Sequence, residues 1–155
     1  PTLISNPITQ DHTMLRQSIL PSLLRLLAAN RHHELPQRVY EVGTTVRNHH
    51  NKDRVSWLCA ENISSFANCR GMVQAFLRDL GVDSSSSQIE WGDMPAQHGP
   101  WMKGRSSQIF INGEKVGEMG EINPEVGALF ELRVPLHGAE FCLQALMKAI
   151  PDPVL

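Results

Sequence analysis

The chain has 155 residues, 41% of them apolar and 19% charged, with a net charge of −2. That is enough for a single domain with a real core; the weak negative balance gives no global basic field of the kind that advertises nucleic acid, and no apolar run approaches the roughly 20 residues a membrane span needs. Cys59, Cys69 and Cys142 are odd in number and form no CxxC pair, so they read as reduced, intracellular thiols packed as small apolar groups.

In chain order, residues 1–17 read as extended and turn-rich, with Leu3-Ile4 a short strand candidate and Asn6-Pro7 a break. Leu20, Leu23, Leu24 and Leu27 recur at i, i+3, i+4 and i+7, which predicts an amphipathic helix near 18–30. Ser18 is a candidate N-cap, Pro21 sits in the first turn, and Asn30 is a stop. Pro36–Arg47 is rich in β-branched and aromatic residues and predicts a strand over 37–47. Arg47–Asn51 reads as a polar turn, with a returning strand over 54–61.

Ser64 or Ser65 can cap the next helix, marked by Phe66, Cys69, Val73, Phe76, Leu77 and Leu80 and stopped by Gly81. Gly71 within it implies close packing against a neighbour, because glycine otherwise costs about 1 kcal/mol there. Asp83–Ser87 is a short linker, Gln88–Trp91 a short strand, and Gly92–Arg105 an irregular loop. Asn112-Gly113 between Ser107–Ile111 and Glu114–Ile122 predicts a hairpin with a type I′ turn. Asn123-Pro124-Glu125 supplies a cap, a first-turn proline and an acid for a short helix whose buried face is Val126, Leu129 and Phe130. Ala139–Leu143 reads as the last strand. The absence of regular β-α alternation favours an α+β fold, an antiparallel sheet with helices on one side.

An ordered set of segments carries a resemblance. Asn6-Pro7-Ile8-Thr9, Leu15-Arg16, Leu20-Pro21-Ser22-Leu23-Leu24, Arg38-Val39-Tyr40-Glu41-Val42-Gly43, Gly104-Arg105 and Gly117–Val126 resemble, in the same order, the phenylalanine–tRNA ligase β subunits of archaeal or eukaryotic-like type. The likeness covers nearly all of residues 5–147, over the C-terminal catalytic-like module. It implies a class II aminoacyl-tRNA synthetase-like antiparallel sheet flanked by helices. It also implies a cytoplasmic (αβ)₂ heterotetramer that joins phenylalanine to its tRNA with ATP and magnesium, the α subunit carrying the active site and this module packing on it. The start at Pro1 reads as an excision from a longer polypeptide, with residues 1–155 as a single domain.

The same resemblance frames the candidate sites. In active class II enzymes the strand–loop–strand carries an aromatic residue or His, then Arg, any residue, and an acid, the arginine neutralising the ATP α-phosphate. Here the positions read Val46, Arg47, Asn48 and His49. Arg47 is thus a candidate nucleotide-binding remnant, a guanidinium fork being suited to phosphate oxygens. The late Gly-rich strand and helix of the class also bears an arginine, for the γ-phosphate. Gly117, Gly120 and Gly127 have no arginine in register, and Arg133 follows the short helix. The implied role is therefore non-catalytic, with no catalytic residue, metal or cofactor in this module.

Trp101, Met102 and Arg105, with Trp91, form an aromatic and cationic stretch suited to a base or a partner chain; the resemblance, in which this region borders the interface of the module, implies the partner chain. His32-His33 and His49-His50, with His12 or His98, lack metal-ligand spacing and read as solvated. Glu140, between Ala139 and Phe141, reads as solvent- or partner-facing. Glu118 and Glu121, three apart on a strand, do not make an acid/base pair. Two rival readings follow from the same residues: a free-standing nucleotide-binding domain using Arg47, and a tRNA-binding accessory domain.

Overall fold

The computed structural model describes residues 18–47, 49–63, 65–82, 88–95 and 98–150, apart from the side chain of Arg47. The expected short strand at Leu3-Ile4, the Asp83–Ser87 linker and His12 lie outside the described residues. Within them are four helices, α1 (Leu20–Ala29), α2 (Phe66–Asp79), α3 (Pro124–Leu129) and α4 (Leu143–Ala149). Six strands accompany them: β1 (Gln37–Arg47), β2 (His50–Ala60), β3 (Ile89–Asp93), β4 (Trp101–Ile111), β5 (Glu114–Ile122) and β6 (Leu136–Cys142). All neighbours pair antiparallel in the order β1-β2-β6-β5-β4-β3. The hairpin β1–β2 and the meander β3–β4–β5 are therefore joined through β6, a strand made later than either.

Helices cover both faces of the sheet, not one. The leucine stripe of α1 is at most 2% exposed and packs with Leu58, Ala60, Trp101, Ile122, Leu132 and Leu136. Each such burial is worth about 1.5–3 kcal/mol. On the opposite face, α2 and α4 bring Cys69, Val73, Leu77 and Leu146 against Ile109, Ile111, Met119, Ala139 and Phe141. The period of two along β2 does this sorting: Leu58 and Ala60 face α1, while Trp57 packs on the other side.

Local signals explain most boundaries. Ser65 caps α2 by accepting the Asn68 N–H at 3.0 Å, and Gly81 takes the positive φ of 91° that ends it. Asn112 and Gly113, with φ of 52° and 85°, make the expected tight β4–β5 turn. Asn123 caps α3 through the Glu125 N–H at 2.9 Å. The cap of α1 falls on Ile19 instead of Ser18, whose hydroxyl accepts from the Leu20 N–H at 3.2 Å.

Other expectations change. The polar turn after Arg47 is shorter than its composition suggests: β2 resumes at His50, because pairing up to Arg47↔His50 satisfies the backbone while Asn51, Lys52 and Asp53 stay exposed. Gly92–Arg105 is not one loop. Gly92 belongs to β3, and β4 already starts at Trp101. β4 then bulges, with residues 102–105 standing opposite Glu121 alone between the pairs Trp101↔Ile122 and Ser106↔Gly120. The last strand starts at Leu136, three residues early, and Leu143 opens a helix. Gly138 is needed inside β6 because a Cβ there would lie 2.1 Å from the Trp57 carbonyl oxygen. Gly71 has no heavy atom within 4 Å of where a Cβ would sit, so close packing is not its reason. Leu129 is 81% exposed, and Gly127 takes the buried position of α3 instead.

Candidate functional site

Two concavities lie where β5 meets its neighbours. The first is a polar recess of about 210 Å³ lined by Arg54, Lys115, Val116, Gly117, Glu118, Glu140 and Cys142. β5–β6 pairing puts Glu118 directly across from Glu140. Neither carboxylate is free. Glu140, 7% exposed, accepts the Ile19 N–H at 2.7 Å and the Ser18 hydroxyl at 3.1 Å. It is internal, not solvated or turned to a partner. Glu118 takes the Lys115 ammonium at 2.8 Å and the Trp101 Nε1–H at 3.0 Å, and His98 Nε2 lies 2.6 Å away. Arg54 Nε donates to Thr45 Oγ1 at 3.0 Å.

The two acids titrate in opposite directions. Burial pushes Glu140 above the ordinary carboxylate value, only partly offset by the Ile19 N–H, the Arg54 charge and Ser18. Burial acts on Glu118 in the same sense, but the Lys115 hydrogen bond and charge, the Trp101 N–H and His98 outweigh it and hold Glu118 below that value.

The second concavity is an apolar groove of about 470 Å³. Met102, Ile122, Leu132, Val134, Pro135 and Leu136 form most of its wall, with Glu121, Asn123 and Arg133 at polar positions. Glu121 is 4% exposed and pairs with the half-exposed Arg105 from the β4 bulge. Leu132, Arg133 and Val134 form a ridge shared with an adjoining hollow of about 310 Å³ that reaches Leu27, His32 and His33.

The sequence-derived candidates land in different places. Trp101 is 5% exposed and belongs to the α1 core, so it supports the surface from behind. Met102 lines the groove, and Arg105 stands beside it through Glu121. Trp91 lies under the Arg70 guanidinium, 4.4 Å from its ring centroid, on the α2 side. Arg47 ends β1. Glu118 and Glu121 hold separate partners and make no pair. His32, His33, His49 and His50 are exposed, and among the described residues no three His, Cys, Asp or Glu side chains gather as metal ligands. Cys59 and Cys69 are fully buried thiols pushed up by desolvation to about 11 and about 12, which makes them inert packing groups. Arg54, Lys115, Glu118 and His98 were not legible as a set. Lys115 and Glu118 are three apart on β5 and pair locally, but Arg54 and His98 reach them only through strand pairing and the segment before β4.

β6 leads directly into α4. Lys148 of α4 lies 3.8 Å from Glu114. No described helix is long and apolar enough to cross a membrane.

Comparison with known proteins agrees with this architecture. The family model described as the phenylalanyl tRNA synthetase beta chain CLM domain matches residues 1–143. The phenylalanine–tRNA ligase beta subunit of Archaeoglobus fulgidus is 37% identical over 142 residues, 92% of this chain and 25% of the relative. That of Methanopyrus kandleri is 36% identical over 155 residues, 94% of this chain and 25% of the relative. The chain thus spans about a quarter of the length of these curated relatives. Among solved structures, the pyrrolysyl tRNA synthetase PylSc of Desulfitobacterium hafniense matches with a TM-score of 0.67 at 13% identity, over 90% of this chain and 54% of that one. This likeness establishes the class II synthetase fold. The chain belongs to the CLM-domain family of the phenylalanyl-tRNA synthetase β chain.

Proposed function

We propose that the chain is a non-catalytic, class II synthetase-like module of the phenylalanine–tRNA ligase β subunit that packs on the catalytic α subunit. In this reading residues 1–155 act as one domain of a cytoplasmic (αβ)₂ enzyme. The joining of phenylalanine to tRNA with ATP and magnesium runs on the α subunit. Met102 and Arg105 face the partner with Trp101 behind them, and Arg47 is a remnant of a nucleotide site.

The observation that carries the reading is the state of the polar recess. Its cations and acids already serve one another and the start of α1: Lys115 is held by Glu118, Arg54 by Thr45, and Glu140 by Ile19 and Ser18. A triphosphate entering it would meet cations already engaged, and its magnesium would meet carboxylates whose oxygens already accept from the chain's own donors.

Co-expression of the full β subunit with the phenylalanine-specific α subunit, followed by affinity capture and gel filtration, tests the assembly. A stoichiometric complex is expected; two separate species would overturn the reading. Titration of the β subunit with ATP tests the catalytic half. Micromolar binding that Arg47→Ala abolishes would replace the scaffold with a nucleotide-binding domain.

A further inference from the structure

The apolar groove differs from the recess in having an unanswered charge at its rim. Arg133 lines both the groove and the adjoining hollow. Its guanidinium is exposed and has no hydrogen-bond or ion-pair partner among the described residues, and the same holds for Lys103, next to Met102 on the bulge. The acids that line these concavities are spoken for: Glu121 by Arg105, and Glu131 by Arg31 at 3.3 Å. The wall of the groove is aliphatic, and no Phe, Tyr, Trp or His lines it, so the groove itself offers no ring on which a nucleic-acid base would stack. Groove and hollow run along the two sides of the Leu132–Val134 ridge, a shape for an elongated segment more than a compact small molecule.

We infer that this groove takes a segment of the α subunit carrying an aliphatic anchor, seated between Met102, Ile122 and Leu136, with a carboxylate placed to meet Arg133. The inference rests on the assembly reading above and adds the docking site to it. A buried aliphatic anchor supplies the binding energy and the rim pair supplies orientation, since a half-exposed ion pair adds little affinity. A second copy of the chain fits less well. An isologous contact brings the same patch from both copies, and the lining acids of that patch are already paired, so none is left to receive the Arg133 and Lys103 of the other copy.

The test uses the full-length β subunit and the α subunit of the same enzyme, with the dissociation constant measured by titration. Ala128→Trp fills the groove from the exposed side of α3, and Arg133→Glu reverses the rim charge. Gln74→Trp, on the exposed face of α2, is the control. Circular dichroism and thermal melting of each β variant alone establish that it is folded before it is scored. Ala128→Trp should weaken association by about tenfold or more, the size of an interface anchor, and Arg133→Glu by a smaller factor that shrinks with added salt, through like-charge repulsion at the rim, with the control unchanged. Unaltered affinity in both folded groove variants would overturn the docking site and leave the assembly reading standing. No complex with the parent β subunit would overturn both. Self-association of β lost in Ala128→Trp would hand the groove to a second copy, and a loss confined to tRNA affinity would hand it to nucleic acid; either result overturns the inference.

Discussion

The polar recess and the apolar groove flank the same strand, β5, yet they are opposite kinds of surface. The recess is saturated: Glu118 and Glu140 use their oxygens on the chain's own donors, over sequence separations of up to 122 residues. The groove is unsaturated, with an aliphatic wall and a rim cation that nothing described answers. A saturated hollow contributes to the stability of its own chain, whereas an unsaturated one contributes to whatever docks there. A concavity alone does not mark a binding site; the state of its polar groups decides between the two.

That contrast makes ordered predictions. The largest effect should come from Glu140→Ala, which leaves the buried Ile19 N–H without its acceptor and should cost about 2–3 kcal/mol in urea unfolding. A loss below about 0.5 kcal/mol would break the claim that the recess holds α1. Glu118→Gln comes next. It removes the counter-charge of Lys115 and His98 but keeps an acceptor for Trp101, so about 1 kcal/mol is expected, tempered by the exposure of Lys115.

The same two acids should give opposite pH responses. Glu140, raised in the fold, binds its proton more tightly folded than unfolded, so its contribution falls as pH rises from the ordinary carboxylate value through the raised one. Glu118, lowered in the fold, contributes above the ordinary value and loses that contribution as pH falls through the lowered one. Unfolding measured across pH should therefore flatten on the alkaline side of this range in Glu140→Gln and on the acid side in Glu118→Gln. Identical profiles for the two variants would refute the assignment.

Gly71→Ala, remote from both concavities, should stabilise the chain by about 0.5–1 kcal/mol, because the helix site is open and glycine is its poorest ordinary occupant. The smallest effect is expected at the groove. Arg133→Glu should leave the melting of the free chain within about 0.5 kcal/mol of the parent while still impairing assembly. A large stability loss there would mean the rim is not free.

Local chemistry made much of the fold legible in advance. The leucine stripe, Ser65, Gly81, Asn112-Gly113 and Asn123-Pro124 act over a few residues, so their elements could be read directly. What escaped depends on partners distant in sequence. Gly138 is required only because the Trp57 carbonyl lies against it from β2, and the β4 bulge sets Arg105 against Glu121 of the neighbouring strand. The helix α4 did carry a local trace, Leu143, Leu146, Met147 and Ile150 at helical spacing. The recess had almost none, since Glu118 and Glu140 become neighbours through register alone. Met102 and Arg105 were identified as a surface from composition; the buried position of Trp101 could come only from the sheet.

The late position of β6 bears on how the molecule is made. On a growing chain the β1–β2 hairpin and the β3–β4–β5 meander are both synthesised before Leu136, and each then exposes the edge that β6 will cover. Uncovered edges template pairing with other chains, so the nascent polypeptide passes through a stage with two of them. Insertion of a single strand closes both edges at once and delivers Glu140 to Ile19. Helix α1 is thus secured by a residue of β6, and its final anchoring waits for translation to reach that strand.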